Sequence, residues 1–189
     1  MGNRAEGRRV AILASDGFEE SELFEPKKAI ENAGGEVHIV SDKSGEIEAN
    51  RHREKGDRIK VDRTLDEANA DDYDTLMIPG GLFSPDALRR NEQALKFVNR
   101  FFENKRPVAS ICHGPQVLID ADAVKGRKMT GFPAIWTDMK NAGAEVVDEE
   151  VVVDQGLVTS RSPKDLDAFC DKLIEETCEG EHRAQARSA

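Results

Sequence analysis

The sequence predicts an α/β fold with a mostly parallel central sheet. Short and continuously apolar segments, such as Arg9–Ala14 and Val108–Ile111, are typical of strands that are buried on both faces of a sheet. Segments of helical periodicity lie between them, so strands and helices alternate along the chain. The 189 residues are enough for one domain with a full hydrophobic core. We predict that domain over residues 1–178, followed by a disordered polar tail over residues 179–189.

The first half of the chain yields six elements, each placed by its apolar pattern and its flanking turn residues. A glycine pair after the first helix is expected to end it in a left-handed cap. Pro26 implies either that this helix starts near Ser21 or that it is kinked. The predicted elements are a strand at Arg9–Ala14, a helix at Phe18–Ala33, a strand at Glu36–Ser41, an exposed hairpin of Glu46–Ala49 and Arg58–Val61, a short helix at Leu65–Ala70 and a strand at Thr75–Ile78.

The second half continues the alternation. Asn91 is a suitable N-cap for an amphipathic helix, and Asp154-Gln155-Gly156 predicts the turn of a hairpin. Ser162-Pro163-Lys164-Asp165 resembles a capping box before a last helix. The predicted elements are the helix after Asn91, a strand at Val108–Ile111, a helix over 115–121, a strand at Lys128–Thr130, a helix at Pro133–Ala142, a hairpin of Val146–Val153 and Leu157–Ser160, and a last helix that buries Leu166, Phe169, Cys170, Leu173 and Ile174.

Composition excludes several classes of function. The net charge of -10 argues against nucleic acid as a partner, because binding to phosphates needs clustered Lys and Arg. The three cysteines form no CxxC motif, so we expect free thiols in a reducing cytoplasm. The apolar run over residues 10–14 is too short for a signal segment or a membrane span, so no membrane partner is expected.

Cys112 is the strongest candidate for a catalytic residue. It lies between the strand Val108–Ile111 and a helix that Pro115 is suited to begin. A sharp strand-to-helix turn of this kind is a nucleophile elbow, which holds a reactive side chain above the end of a sheet. N–H groups at a helix start also favour a thiolate. The competing interpretation is a small buried hydrophobe, which fits Cys170 on its amphipathic stripe better.

His113 follows the cysteine directly. It is a candidate general base, although neighbouring residues diverge on a regular helix and His113 would then serve only for packing or capping. A histidine base needs an acceptor for its second ring nitrogen, and the residues alone do not identify one. His38, His52 and His182 are better explained as strand, loop and tail residues.

Two further strand ends carry unusual residues, and parallel strands bring such ends to one edge. Glu19 and Glu22 follow the first strand. Either they favour the start of a helix, or one of them lies protonated beside the Cys112 sulfur. Gly80 and Gly81 follow another strand. Either they form a hinge, or they bring backbone N–H groups close to a substrate as part of an oxyanion hole.

No cofactor is expected from these motifs. The chain has neither GxxxxGK[ST] nor GxGxxG, so the glycines do not predict a phosphate-binding loop. The Cys/His/Glu group lacks the paired spacing of metal ligands, so no metal is expected there.

The residues 109–116, Ala-Ser-Ile-Cys-His-Gly-Pro-Gln, resemble the nucleophile motif of the PfpI-like (ThiJ/PfpI) family. This is a family of intracellular cysteine hydrolases in the class I glutamine amidotransferase-like superfamily. The resemblance extends over residues 8–176. Its other motifs are the acidic stretch 16–22, Ile78-Pro79-Gly80-Gly81, Gly126-Arg127-Lys128, Val151–Asp154 and Ser160-Arg161-Ser162-Pro163.

The resemblance implies a flavodoxin-like three-layer α/β/α sandwich with a nucleophile elbow. It implies Cys112 as nucleophile, His113 as its partner and Glu22 as the carboxyl at the sulfur, with Gly81 and the His113 N–H as the oxyanion site. It also implies that an acid from a neighbouring subunit orients the histidine. The matching position here is Asp86, a shorter acid than the glutamate of many relatives, so the complete site would need a homodimer or a larger homo-oligomer.

The resemblance further implies a cysteine-dependent hydrolase that acts on carbonyl substrates: a glycated protein, a small carbonyl or a peptide. Ammonia production is not expected, since Arg161-Ser162-Pro163 replaces the His-x-Glu of true glutamine amidotransferases. The alternative is a redox-sensing or chaperone-like stress protein in which Cys112 is oxidised next to Glu22.

Overall fold

The structure is a computed structural model that describes residues 4–182 and residue 185. Within this part of the chain, no helix combines the length and the apolar character that crossing a membrane requires.

The centre of the molecule is a seven-stranded sheet in the order β11-β12-β8-β7-β1-β3-β6. All neighbouring strands pair in parallel except β11 and β12, which form an antiparallel hairpin at one edge. The strands are β1 (Arg9–Leu13), β3 (Glu36–Ser41), β6 (Arg63–Thr64), β7 (Thr75–Ile78), β8 (Val108–Ile111), β11 (Val151–Asp154) and β12 (Leu157–Ser160). The predicted mostly parallel sheet is therefore confirmed.

Helices cover both faces of this sheet, which gives a three-layer sandwich. Alternate residues of β1 face opposite sides, because Val10 and Ile12 belong to one buried cluster and Ala11 and Leu13 to the other. The helices are α1 (Glu20–Asn32), α2 (Phe83–Leu88), α3 (Glu92–Glu103), α4 (Pro115–Asp120), α5 (Trp136–Asn141) and α6 (Leu166–Glu179). Helices α1 and α6 pack on the side of Val10 and Ile12, and α3 and α4 on the other side.

Two small sheets extend the sandwich. The first consists of β2 (Phe18–Glu19), β4 (Glu46–Arg51) and β5 (Glu54–Lys60), and β4 and β5 form the predicted hairpin. Because β2 directly precedes α1, this hairpin lies at the carboxyl end of β1, beside the predicted site. The second consists of β9 (Lys128–Met129) and β10 (Glu145–Val146).

Several predicted elements were wrong. Leu65–Ala70 is not a helix: it forms turns, and a 3-10 turn follows at Ala70–Asp72. The predicted strand Val146–Val153 is two strands in different sheets, β10 and β11, separated by a loop. Helix α2 was missed because its six residues are too few for an apolar period.

The predicted start of the first helix at Phe18 and the predicted cap of the last helix were wrong. A start near Ser21, one of the two alternatives that Pro26 implied, is confirmed to within one residue. Helix α1 begins at Glu20 and contains Pro26, and Phe18 lies in a strand. Ser162 makes no side-chain capping bond. Asp165 instead accepts hydrogen bonds from the backbone N–H and from the guanidinium of Arg161. This ion pair gives the carboxylate more hydrogen-bond donors than a capping box would.

The predicted disordered tail, residues 179–189, lies partly outside the described residues. Glu179 belongs to α6. The His182 N–H donates to the Lys105 carbonyl at 2.8 Å. Gln185 is buried, and its Oε1 accepts from Arg127 at 2.7 Å. Disorder is therefore the wrong description for these three residues, because long-range contacts hold them.

Candidate active site

Cys112 occupies the turn between β8 and α4, as the elbow motif predicts. Its φ of 61° is rare for a residue with a side chain, and such strain is found at functional sites. Two backbone bonds hold the turn: the Cys112 N–H donates to the Ser160 carbonyl at 3.1 Å, and its carbonyl accepts from the Phe132 N–H at 2.8 Å. The turn is thus fixed from β12 on one side and from the loop after β9 on the other.

The Cys112 sulfur faces two backbone donors, the N–H groups of Gly81 and His113, and each lowers the pKa of the thiol. Burial and a nearby charged Glu22 have the opposite effect, so that with Glu22 ionised the pKa of the thiol lies above its ordinary value. Burial of the sulfur and the charge on Glu22 thus both oppose a thiolate, and protonation of Glu22 removes the second of these two effects.

Glu22 is a fully buried carboxyl on the first turn of α1. Its Oε2 accepts the Gly80 N–H at 2.9 Å, while its Oε1 has no hydrogen-bond partner among the described residues. Burial raises the pKa of Glu22 to about 8, and the charge of Glu19 contributes to the increase. Two negative charges are unfavourable in this buried space, so Glu22 and Cys112 form a pair that keeps one proton near neutral pH.

Both glycines are required by close packing. A Cβ at Gly80 would lie 2.5 Å from Glu22 Oε2 and 2.6 Å from the Cys112 Cβ. Gly81 has a φ of 89°, and a Cβ there would lie 2.4 Å from the Gly17 carbonyl oxygen. The Gly80 N–H is already bonded to Glu22. Gly80 therefore acts as a spacer, and Gly81 is the glycine whose N–H faces the sulfur.

His113 points its Nδ1 at the Cys112 sulfur at 3.2 Å. The elbow geometry thus overrides the divergence that a regular helix would impose. The ring stacks on Phe132 with centroids 4.7 Å apart, and burial lowers its pKa. A neutral imidazole beside a thiol can accept its proton. None of the described residues forms a hydrogen bond with Nε2.

Glu19 is nearly buried and lies at the edge of the cleft. Its Oε2 accepts the His52 N–H at 3.1 Å, and its own N–H donates to the Gly80 carbonyl at 3.2 Å. It lies in β2, directly before α1, and therefore not on the helix that carries Glu22. Its contacts fix the hairpin turn next to Gly80.

Asp86 lies exposed on α2 and forms no hydrogen bond with His113 in this chain. Two exposed apolar side chains precede it, Leu82 (61% exposed) and Phe83 (63% exposed). The role that the resemblance assigns to Asp86, at the His113 of a neighbouring subunit, stays a prediction.

A cleft of about 1020 Å³ opens over the sulfur. Sequence reasoning missed most of its walls, because they come from loops without a periodic pattern. Phe132, Trp136 and the hairpin turn at His52 form part of it, and Arg161 forms another part, fixed by Asp165 and by Asp148 at 2.8 Å. The Trp136 indole donates to the Gly131 carbonyl at 2.8 Å, which orients the ring.

The combination of elbow, buried carboxyl and glycine pair agrees with a match to a known family. The model of the DJ-1/PfpI family matches residues 8–176. The chain belongs to the DJ-1/PfpI family. Two Bacillus subtilis relatives are each 46% identical to it and cover 86% of this chain and 94% of their own lengths. One is named "Putative cysteine protease YraA" and the other "General stress protein 18".

Solved structures support the same DJ-1/PfpI fold. A two-domain protein of Anabaena variabilis, with a DJ-1/ThiJ/PfpI-like and a ferritin-like domain, superposes with a TM-score of 0.83 at 40% identity. The match covers 89% of this chain and 47% of that protein. Schizosaccharomyces pombe DJ-1, at 23% identity and a TM-score of 0.79, shares the fold over 88% of this chain and 90% of its own. The predicted flavodoxin-like sandwich is confirmed.

Proposed function

We propose that this protein is a cysteine-dependent hydrolase that acts on carbonyl substrates, such as glycated proteins, small dicarbonyl adducts or peptides. One observation carries the proposal: the Cys112 sulfur lies at a strained elbow, 3.2 Å from His113 Nδ1, and lines an open cleft. The name of the relative YraA supports the same class. We also propose that the protein acts in the cytoplasm and that nucleic acid is not its partner, because its net charge is -10.

The reaction follows from the groups around the sulfur. With Glu22 protonated, the thiolate of Cys112 attacks the substrate carbonyl carbon. The oxyanion that forms accepts hydrogen bonds from the Gly81 and His113 N–H groups. For a peptide, the C–N bond breaks as Glu22 protonates the amine, which leaves a thioester and a charged Glu22. His113 then takes a proton from the attacking water, and cleavage of the C–S bond releases the acid and regenerates the thiolate. The proton on His113 returns to Glu22, which restores the starting state.

The test compares the parent chain with Cys112→Ser on methylglyoxal-adducted peptides and on a fluorogenic peptide. We expect activity on at least one substrate, with a loss on the order of 1000-fold in Cys112→Ser. Full activity of Cys112→Ser on every substrate turned over would show that the thiol is not the nucleophile.

We also propose that a second copy of the chain completes the site, with Asp86 as the acid that binds His113 Nε2. The exposed Leu82 and Phe83 beside Asp86 support this interface, as does the absence of a partner for Nε2 within the described part of one chain. Asp86→Asn is expected to lower kcat about tenfold while light scattering still reports an oligomer. A monomer with full activity would contradict the proposal.

A second candidate is a redox-sensing stress protein, favoured by the buried Glu22 beside the sulfur. A protonated carboxyl in that place would stabilise a Cys112 sulfinate by a hydrogen bond. Mild peroxide followed by intact mass and peptide mapping should add two oxygens at Cys112 and none at Cys170. Equal oxidation of the two cysteines would contradict this candidate function. The site would then offer no explanation for the name of the relative, General stress protein 18.

A further inference from the structure

A cluster that the proposed function does not use lies at the other end of β8 from Cys112. It consists of Glu176 and Glu179 on the last turn of α6 and of His182 just beyond it. One possible ligand atom from each residue lies within 4.8 Å of the other two. The spacing i, i+3 puts the two carboxylates on one face of the helix.

The chain is folded back to bring the histidine to this face. Gly180 ends α6 with a φ of 81°, and its N–H donates to the Glu176 carbonyl at 3.0 Å. The His182 N–H then donates to the Lys105 carbonyl at 2.8 Å. The imidazole packs on Gly156 so closely that a Cβ there would lie 2.8 Å from its Cδ2. The position of the ring is thus set by β8, by the β11–β12 turn and by α6 together.

Two polar atoms of the cluster are buried without a hydrogen-bond partner. Glu176 has a side chain that is only 6% exposed, and its Oε2 lies 2.9 Å from His182 Nε2. Neither atom has a hydrogen bond of acceptable geometry within residues 4–182 and 185. Buried polar atoms are rarely left without a hydrogen-bond partner. Two ligands of one cation, each about 2.1 Å from it and at a right angle, are about 3 Å apart.

The local charge also favours a cation. The last turn of α6 carries no basic residue, although it carries acidic ones at the negative end of the helix dipole. Glu175 is already paired with Lys172 at 2.8 Å, so that lysine has a carboxylate partner outside the cluster. Within residues 4–182 and 185, Glu176 forms an ion pair with His182 and Glu179 forms no ion pair.

We propose that Glu176, Glu179 and His182 bind a first-row divalent metal ion such as Zn²⁺. One imidazole nitrogen and two carboxylates suit such an ion better than Ca²⁺ or Mg²⁺, which prefer oxygen ligands alone. Water would fill the open coordination position. The ion would join the segment after Gly180 to α6, and through His182 to the starts of β8 and β12. The role is structural and independent of catalysis at Cys112.

The test titrates Co²⁺ and Zn²⁺ into chelator-treated full-length protein that carries Cys112→Ser, so that the Cys112–His113 pair cannot supply a thiolate ligand. We expect one ion per chain, weak visible Co²⁺ bands without thiolate charge transfer, and a rise in Tm of about 5 °C at saturating Zn²⁺. His182→Gln and Glu179→Gln should each weaken binding at least tenfold. Glu175→Gln, on the same helix, should keep the parent affinity within twofold.

Glu179→Gln alters an exposed side chain and keeps its shape, so it tests the site even if His182→Gln does not fold. Three results would overturn the proposal. They are no saturable binding, thiolate charge-transfer bands from Cys170 or Cys178, and equal affinity in the parent and in Glu179→Gln.

Discussion

Cys112 is a buried thiol and Cys170 a half-buried one, and both have acidic neighbours, but their surroundings differ in hydrogen-bond donors. Burial, together with the charges of Glu25, Asp167 and Asp171, raises the pKa of Cys170 to about 12. At Cys112 burial and Glu22 act in the same direction, but the N–H groups of Gly81 and His113 oppose them. A buried cysteine thus becomes a candidate nucleophile through the donors aimed at it and not through burial itself.

The carboxyl groups near the two cysteines also differ, because Glu22 can hold a proton near neutral pH. The acids near Cys170 are Glu25, Asp167 and Asp171, and all three lie exposed on helices α1 and α6. Glu22 is fully buried, and its pKa of about 8 lets it hold a proton at pH 7. A protonated carboxyl donates to the sulfur, whereas a charged one repels a thiolate.

Among the variants that test the difference between Cys112 and Cys170, His113→Gln is expected to have the largest effect on activity, because it removes the base next to Cys112. We expect kcat to fall on the order of 100-fold, since general acid–base catalysis contributes 100-fold or more. KM should change little, because the cleft walls stay in place. The matched control is His38→Gln, a histidine that bonds Glu36 and Tyr73 away from the site. Equal activity of the two variants would mean that His113 only packs on Phe132.

Gly81→Ala is expected to affect both stability and activity. The φ of 89° and the contact with Gly17 cannot accept a Cβ without backbone movement. We expect a loss of about 2 kcal/mol in the free energy of unfolding, and a fall of about tenfold in kcat as the oxyanion donor shifts. Urea unfolding and steady-state kinetics measure the two effects. Gly45→Ala is the control, because its φ of 85° carries the same strain with open space around the Cβ.

Glu22→Gln is expected to change the pH dependence of stability. Burial raises the pKa of Glu22 in the folded chain to about 8 from its ordinary value of 4.5, so its stabilising contribution is present below about pH 4.5 and is lost as the pH rises through 8. For the variant, the free energy of unfolding measured in urea should not show that decline between pH 5 and 8. Glu25→Gln, exposed on the same helix, should retain it. A decline of equal size in Glu22→Gln would assign the proton to another group.

The smallest effect is expected from Cys170→Ser. Cys170 is half-buried on α6 and has no role in the proposed reaction. We expect kcat/KM within twofold of the parent on the substrate that Cys112→Ser fails to turn over. A loss as large as that of Cys112→Ser would mean that the N–H donors at Cys112 do not separate the reactive cysteine from the structural one.

The sequence predicted the sheet and the residues around the sulfur, but not the cleft. Strands such as Val108–Ile111 are continuously apolar, and the strand-to-helix turn at Cys112 has a local signature in Gly114-Pro115. Phe132 and Arg161 reach the cleft from loops, and their positions depend on long-range contacts that no periodic pattern records. Helix α2 was missed because its six residues are too few for an apolar period.

The sequence also could not predict that Gly80 and Gly81 have different roles. Both follow β7, and either one could offer an N–H to an oxyanion. Only the position of the Glu22 carboxylate, 2.9 Å from the Gly80 nitrogen, separates a spacer from a donor. Likewise, the sequence indicated only a tail residue at His182. In the structure, the chain turns at Gly180 and brings His182 next to Glu176.

The most direct test of the central claim is the pH profile of alkylation at Cys112 and Cys170, followed in one sample by peptide mass spectrometry with iodoacetamide. The account predicts that Cys112 reacts at a nearly constant rate between about pH 6 and 8, below the ordinary thiol pKa of about 8.5. Over the same range, Cys170 should gain about tenfold per pH unit, as a thiol with a raised pKa does. A Cys112 rate that rises in parallel with that of Cys170 would show that no thiolate forms beside Glu22.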